Sequence, residues 1–234
     1  MKPRVYLDAD LQGGGEILLE DVPAHHLARV LRLREGDALT VFNGRGGEWD
    51  AEFIGRRRVR LRGFSAVERE SPLRVTLVQG VSSGERMDYT IQKAVELGVA
   101  AIQPVLTKRG VVRLEGNRAS ARVAHWTKIA IAACEQCGRN RLPEVRPLLQ
   151  FHEYPPPGEG ARLLLSAEAA SIRNVEMGER VTVAAGPEAG FAPEERAALE
   201  RAGFVRASLG PRVLRTETAA LAALAAINAL RGDF

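Results

Sequence analysis

Beyond Pro72 the hydrophobic period of this chain changes, and that change limits its fold more than any other feature. Leu73–Gln79 is a continuous apolar run of the kind that sits inside parallel sheets. A helix over Asp88–Leu97 follows, ended by Gly98 at the C′ position, and then a strand at Ala100–Val105 closed by Pro104. A long helix runs from Asn117 to about Gln136, and further strands lie at Leu163–Ser166, Val181–Ala185 and Phe204–Ser208. Pro193-Glu194-Glu195 opens a helix with proline first and acids in its first turn, and a last helix spans Thr216–Leu230. Strands alternating with helices imply an α/β domain over residues 71–234, built on a mostly parallel sheet flanked by helices.

Residues 1–70 read differently. Short strand candidates lie at Val5–Leu7, Ile17–Leu19, Ala38–Phe42, Trp49–Ile54 and Val59–Phe64, with one helix over Pro23–Leu33. Asn43-Gly44 is a hairpin signal. Several short strands closing on themselves predict a small β-barrel. Glu68-Arg-Glu-Ser-Pro72 marks the boundary, and 234 residues suit two modest domains.

Two glycine-bearing segments fall where strands of the second domain end. Ala185–Glu195 and Leu209–Ala219 each sit between a short apolar strand and a helix. Glycine lets main-chain N–H and C=O groups come close to a ligand, so the pair predicts a pocket built from backbone. Neither segment makes G-x-G-x-x-G, and no G-x-x-x-x-G-K-[ST] occurs, which argues against a conventionally held dinucleotide or nucleoside triphosphate. Ligands of open α/β sheets bind beyond the C-terminal ends of strands. Leu165-Ser166, Ala185-Gly186 and Ser208-Leu209-Gly210 are three such ends, expected to line one crevice.

Composition narrows the partners less. The net charge is +4, and only four of the 33 basic residues are lysine. Arginine suits phosphate and stacks on bases, but a genome that favours arginine everywhere gives the same skew. Cys134 and Cys137 form a C-x-x-C, yet the surrounding pattern is helical and the histidines at 25, 26, 125 and 152 are scattered. The two thiols therefore read as ordinary small side chains one turn apart, and no metal is expected. The N-terminus lacks an apolar signal core and Ala219–Ile227 is too short to span a bilayer, so the expectation is a cytoplasmic protein without a membrane partner.

The residues of both loops resemble a known family. Gly186-Pro-Glu-Ala-Gly190 with Pro193-Glu194-Glu195, and Leu209-Gly-Pro-Arg-Val-Leu-Arg-Thr-Glu-Thr-Ala219, are similar to the two cofactor motifs of the RsmE branch of the SPOUT methyltransferases. Gln92-Lys-Ala-Val-Glu-Leu-Gly-Val99 with Pro104, and Trp126 through Ala132-Ala-Cys-Glu-Gln-Cys-Gly-Arg139 to Pro143, resemble its upstream signatures. His26-Leu-Ala-Arg-Val-Leu-Arg32 and Gly36-Asp37 with Val41-Phe-Asn-Gly44 are similar to its PUA-like RNA-binding module. Five motifs in order cover essentially the whole chain.

The resemblance implies transfer of a methyl group from S-adenosylmethionine (SAM) to N3 of one uridine in 16S rRNA of the small ribosomal subunit. It implies a trefoil-knotted α/β domain, a homodimer, and a PUA-like domain that holds RNA. A related enzyme acting on ribose 2′-oxygen or tRNA, and a non-catalytic ribosome assembly factor, are the alternatives. Two positions depart from the pattern. Ala189 stands where the family commonly has glycine, which would strain it if φ were positive there, and Cys137 replaces a common serine.

Carried onto this sequence, the cofactor residues are Leu165, Ser166, Gly186, Pro187, Glu188, Gly190, Ser208, Leu209, Gly210, Val213 and Leu214. Backbone beside the glycines and Leu209 would meet adenine edges, while Leu165, Val213 and Leu214 supply apolar contact. Glu188 either faces the sulfonium or caps the following helix, and Thr216 reads as the N-cap of the last helix. Methylation at N3 removes a proton, so a positive group near O2 or O4 would favour the developing anion. Arg139 and Arg215 are the catalytic candidates, with no side chain standing out as general base. Arg109 and Arg141 are expected on base or phosphate, and Arg29, Arg32 and Arg57 on RNA from the first domain.

Overall fold

The apolar runs after Leu73 pair into one sheet of seven strands, every ladder of which is parallel. The computed structural model describes residues 2–11, 15–25, 27, 32–155 and 158–234. In chain order the elements of this sheet and its helices are β6 (Arg74–Gly80), α2 (Gly84–Glu96), β7 (Ala101–Leu106), α3 (Gly116–Cys137), β8 (Glu144–Val145) and β9 (Leu149–Gln150). They continue with β10 (Ala161–Leu165), β11 (Arg180–Ala185), α4 (Pro193–Arg201), β12 (Val205–Ala207) and α5 (Thr216–Arg231). Five earlier strands and α1 (Asp21–His25) precede them: β1 (Arg4–Tyr6), β2 (Glu16–Leu18), β3 (Ala38–Phe42), β4 (Glu48–Phe53) and β5 (Arg58–Ser65).

The chain divides into two compact units. One is Met1–Glu70 with Cys134–Leu142, and the other is Ser71–Ala133 with Pro143–Phe234. A single cut at residue 70 misses the Cys134–Leu142 excursion, which the first unit holds through buried polar groups. Asn140 donates to the Val67 carbonyl at 2.7 Å and accepts from Arg4 at 2.7 Å, while its own carbonyl accepts from Gly46 N–H at 3.2 Å.

The first unit's sheet runs β1-β3-β4-β5-β2, antiparallel except for the β1–β3 pair. Among the described residues no ladder joins β1 to β2, so the sheet is not sealed as a barrel would be. It nonetheless curls: Val5 of one outer strand and Ile17 of the other pack on the same cluster with Leu39, Val41, Val59 and Leu61. The helix expected over Pro23–Leu33 is seen as α1, and much of its remainder lies outside the described residues. No helix continues through Leu33, because Arg32 takes φ +54 and Leu33 N–H closes back on the Leu27 carbonyl at 3.0 Å.

The second unit's sheet has the order β12-β10-β11-β6-β7-β8, with β9 also on β7. Pro104 was expected to close β7 but lies inside it. Proline lacks the N–H a central strand needs, and here nothing is lost. β8 pairs with Ala101 and Ile102, β9 with Val105 and Leu106, and the gap between them falls opposite Gln103 and Pro104. The Gln103 amide fills that gap, donating to the Pro104 and Pro147 carbonyls at 3.0 and 2.8 Å. Helix α5 buries Ala220, Ala223, Leu224 and Ile227, a stripe at helical spacing. Asn228 on the same face stays satisfied: its amide donates to the Leu97 carbonyl at 2.9 Å and its oxygen accepts from Ser71 at 2.7 Å.

Candidate functional site

Strands β6, β10, β11 and β12 are neighbours, so the loops that leave their C-terminal ends meet on one edge of the sheet. A cleft of about 500 Å³ opens there. Its walls are Leu165–Ala167 after β10, Ala185–Gly190 after β11 and most of Ala207–Ala219 after β12, with Arg86 from α2 at the rim. Ten of the eleven residues expected to bind a cofactor line it: Leu165, Ser166, Gly186, Pro187, Glu188, Gly190, Leu209, Gly210, Val213 and Leu214.

Ser208, the eleventh, is buried and outside the lining. Its hydroxyl accepts from Gly210 N–H and donates to the Gly210 carbonyl, both at 3.1 Å, which folds the loop back on itself. That short closure needs Gly210 at φ +107, a conformation L side chains rarely adopt. Ser208 therefore shapes the wall and leaves the contact to its neighbours.

The loop after β11 is built from close backbone approaches. A Cβ on Gly186 would lie 2.9 Å from Gly190 Cα, and one on Gly80 would lie 2.4 Å from the Pro187 ring. Gly190 N–H donates to the Pro187 carbonyl at 2.8 Å, closing a turn in which Ala189 occupies the third place. Gly190 takes φ +67, whereas Ala189 is not among the residues with positive φ, so alanine carries no backbone strain there.

Thr216 is not the N-cap of α5. Arg215 is, with extended φ −64 and ψ 156 and no side-chain capping bond. Thr216, 8% exposed, instead ties the site together. Its Oγ1 donates to the Gly186 carbonyl at 2.5 Å and accepts from the buried Gln79 amide at 3.0 Å, which also donates to the Gly80 carbonyl at 2.9 Å. One buried relay thus links the ends of β6 and β11 to the start of α5.

Five charged side chains border the cleft: Arg86, Arg212 and Arg215 against Glu188 and Glu217. Glu188 caps α2 and not the following helix. Its Oε1 accepts from Ser83 N–H at 3.0 Å, Ser83 Oγ at 2.9 Å and Arg86 at 3.0 Å. Partial burial pushes its carboxyl up, but these donors outweigh that and hold it below the usual range. Glu195 opens α4, its carboxylate accepting from Ala192 N–H at 2.7 Å and Lys108 N–H at 2.8 Å.

The arginines expected on RNA or the reacting base are placed less simply. Arg139 does not line the cleft: it is 4% exposed, and its guanidinium lies in a two-point pair on Glu70. Its burial follows from carrying the Cys134–Leu142 excursion, and it corrects the expectation of a free group on substrate. Arg215 lines the cleft and is exposed. Arg109 is exposed on the loop after β7, and Arg141 pairs with Glu68 at 3.1 Å. Arg57 donates to the Leu19 carbonyl at 2.8 Å and pairs with Asp21 at 2.6 Å, while Arg58 and Arg60 share Glu16. Arg32 is exposed, and Arg29 lies outside the described residues. Cys134 is buried, which pushes its thiol up to about 12, and Cys137 is half-buried. Among the described residues no group of three or more His, Cys, Asp or Glu side chains is placed to hold a metal, and no helix is long and apolar enough to cross a membrane.

Residues 69–228 match the family described as RNA methyltransferase domain, and residues 24–62 match the RNA methyltransferase PUA domain. The ribosomal RNA small subunit methyltransferase E of Buchnera aphidicola is 32% identical over 99% of this chain and 95% of its own length. The chain belongs to the ribosomal RNA small subunit methyltransferase E family. The Bacillus subtilis member is 33% identical over 89% of this chain and 90% of its own. Among solved structures, the family member from Neisseria gonorrhoeae bound to S-adenosyl methionine is 39% identical with a TM-score of 0.91, covering 100% of both chains. A Legionella pneumophila protein in complex with the cofactor SAM is 37% identical with a TM-score of 0.95, again covering 100% of both.

Within this family frame, Arg86, Arg212, Thr216 and Glu217 are the polar cleft residues that sequence reading did not assign to the site. Arg86 had one available signal: it lies just beyond Gly80 at the end of a fourth strand. That strand's place beside β11 is not written in any local pattern.

Proposed function

We propose that this chain transfers a methyl group from SAM to N3 of a uridine in the 16S rRNA of the small ribosomal subunit. The observation that carries the reading is the cleft itself, lined mostly by glycine, alanine and other apolar residues, in a chain similar along its whole length to a family member solved with SAM. Its volume of about 500 Å³ suits a ligand of that size. The fit also rests on Gly186 and Gly210: side chains there would strain or fill the approach that brings carbonyl and N–H groups to a bound purine.

When bound, SAM supplies an electrophilic methyl on a positive sulfonium. Leu165, Leu209 and Leu214 would hold its apolar surface, and backbone beside Gly186 and Gly210 its adenine edges. Arg215 at the cleft rim would favour negative charge developing on the uracil oxygens as N3 loses its proton. Holding the two reactants together supplies much of the remaining acceleration.

The PUA-like first unit would hold the RNA, with Arg32 and Arg141 as phosphate contacts, and Arg109 of the second unit would supply another. We further infer a homodimer, and a trefoil knot in which the chain after β12 threads the loop before it. The knot reading is supported by α5, which leaves edge strand β12 yet packs on β6, β11 and α2.

The test is transfer of labelled methyl from SAM into small subunits that lack the modification, followed by nucleoside analysis. Label in 3-methyluridine is expected. Label in a ribose-methylated nucleoside, or in tRNA only, would overturn the substrate, and no heat of SAM binding in calorimetry would overturn the enzyme.

A further inference from the structure

Glycine, alanine and leucine suit the adenosyl part of SAM, but the molecule also carries a methionyl arm. One carbon at the end of that arm bears both an ammonium and a carboxylate, so holding it calls for fixed charges of both signs in one place. Among the described residues that line the cleft there is one ion pair, Arg86 with Glu188 at 3.0 Å. Glu188 is held independently of any ligand, because its Oε1 also accepts from Ser83 N–H at 3.0 Å and Ser83 Oγ at 2.9 Å. These donors keep its carboxyl below the usual range and therefore charged.

Arg86 sits in the first turn of α2, at the rim of the cleft. Of its five N–H donors only one, on Nη1, is used on Glu188. Its side chain makes no other hydrogen bond among the described residues and stays 44% exposed, so the remaining donors are open to a ligand. Two further arginines border the cleft, Arg212 and Arg215. Both are exposed, and neither side chain has a hydrogen bond or ion pair among the described residues. Fixing either one costs rotamer freedom that Glu188 has already removed from Arg86.

We propose that Arg86 anchors the carboxylate of the methionyl arm, with Glu188 as its positioning residue. The proposal rests on the reading of the cleft as a SAM site. Spare donors of the guanidinium meet the arm's carboxylate in charge-assisted hydrogen bonds while Nη1 stays on Glu188. The ammonium on the same carbon offsets the charge of Glu188, so pair and arm match in both signs. Binding then depends on the arm as well as on the adenosine.

The test is calorimetry with four ligands. SAM and S-adenosylhomocysteine carry the carboxylate, while decarboxylated SAM and 5′-deoxy-5′-methylthioadenosine lack it. Wild type should bind the first two at least about tenfold more tightly than the second two. Arg86→Gln should weaken the first two by about 10- to 100-fold and the second two by less than about threefold, so the discrimination disappears. Arg86→Lys, which restores a point charge but not the fork, should recover part of it. Glu188→Gln should cost SAM about three- to tenfold and methylthioadenosine less than about twofold, whereas a residue that only held the loop would move both alike.

Equal loss of all four ligands in Arg86→Gln would overturn the proposal by making Arg86 a support of the cleft wall. So would a wild type that binds SAM and decarboxylated SAM equally well. Discrimination that survives in Arg86→Gln but vanishes in Arg212→Gln or Arg215→Gln would move the carboxylate to that arginine. Failure of the underlying reading looks different, because wild type would then bind none of the four.

Discussion

The relay through Thr216 makes a quantitative claim about what holds the cleft together. Thr216→Val keeps the volume of the side chain and removes its hydroxyl. The Gly186 carbonyl then loses the donor 2.5 Å away, and the Gln79 amide loses its acceptor at 3.0 Å while keeping the Gly80 carbonyl. Leaving a buried polar group unpaired costs about 1–3 kcal/mol. The carbonyl bears that cost in full and the amide in part, so the variant should be destabilised by about 2–3 kcal/mol. In a chain of 234 residues that lowers Tm by roughly 4–12 °C. Urea denaturation followed by circular dichroism measures it, with Thr216→Ser as the control that retains the hydroxyl and should stay within about 1 kcal/mol. Gln79→Leu alone should also destabilise, but the double variant should cost less than the sum, because both break one network. If Thr216→Val stays within about 0.5 kcal/mol of wild type, or adds fully with Gln79→Leu, the relay does not bind the loops and the reasoning fails.

Other consequences are more local. Gly210→Val places a β-branched side chain at φ +107 and should weaken SAM binding at least tenfold in calorimetry while far-UV dichroism stays native. Ala189→Gly should stabilise nothing and cost about 0.5–1 kcal/mol through the unfolded chain, whereas Gly190→Ala should cost about 1–2 kcal/mol because its φ is +67. Glu48 gives an acid limb: burial pushes its carboxyl up, but Arg69, Arg4 and Asn140 outweigh this and hold it at about 2 against an ordinary 4.5. With the folded value depressed, its contribution is complete above about 4.5 and lost as pH falls towards 2, so Glu48→Gln should flatten stability across that window. In native protein Cys134 should resist iodoacetamide at neutral pH, read by mass spectrometry, since its thiol is buried and pushed up to about 12.

What could be read in advance follows the range of the forces involved. The alternation of strands and helices, and the glycine segments at strand ends, are set by neighbours a few residues apart. Local pattern therefore located three of the cleft's loops, and Gly186 lies in the lining because only a residue without Cβ fits beside Gly190. The relay was out of reach. Gln79 and Thr216 are 137 residues apart, and their hydrogen bond exists only because β6 and β11 are neighbours. Pro104 failed for the same reason: whether a missing N–H matters depends on what lies across the strand, and here that is the break between β8 and β9. Arginine was the hardest residue to read. Arg58, Arg60 and Arg62 look like an open basic patch in sequence, yet Glu16 and Glu52 meet them across the sheet. Arg139 stands beside Arg141, but one is buried on Glu70 and the other half-exposed on Glu68. Charge in a sequence counts groups without saying which are already paired.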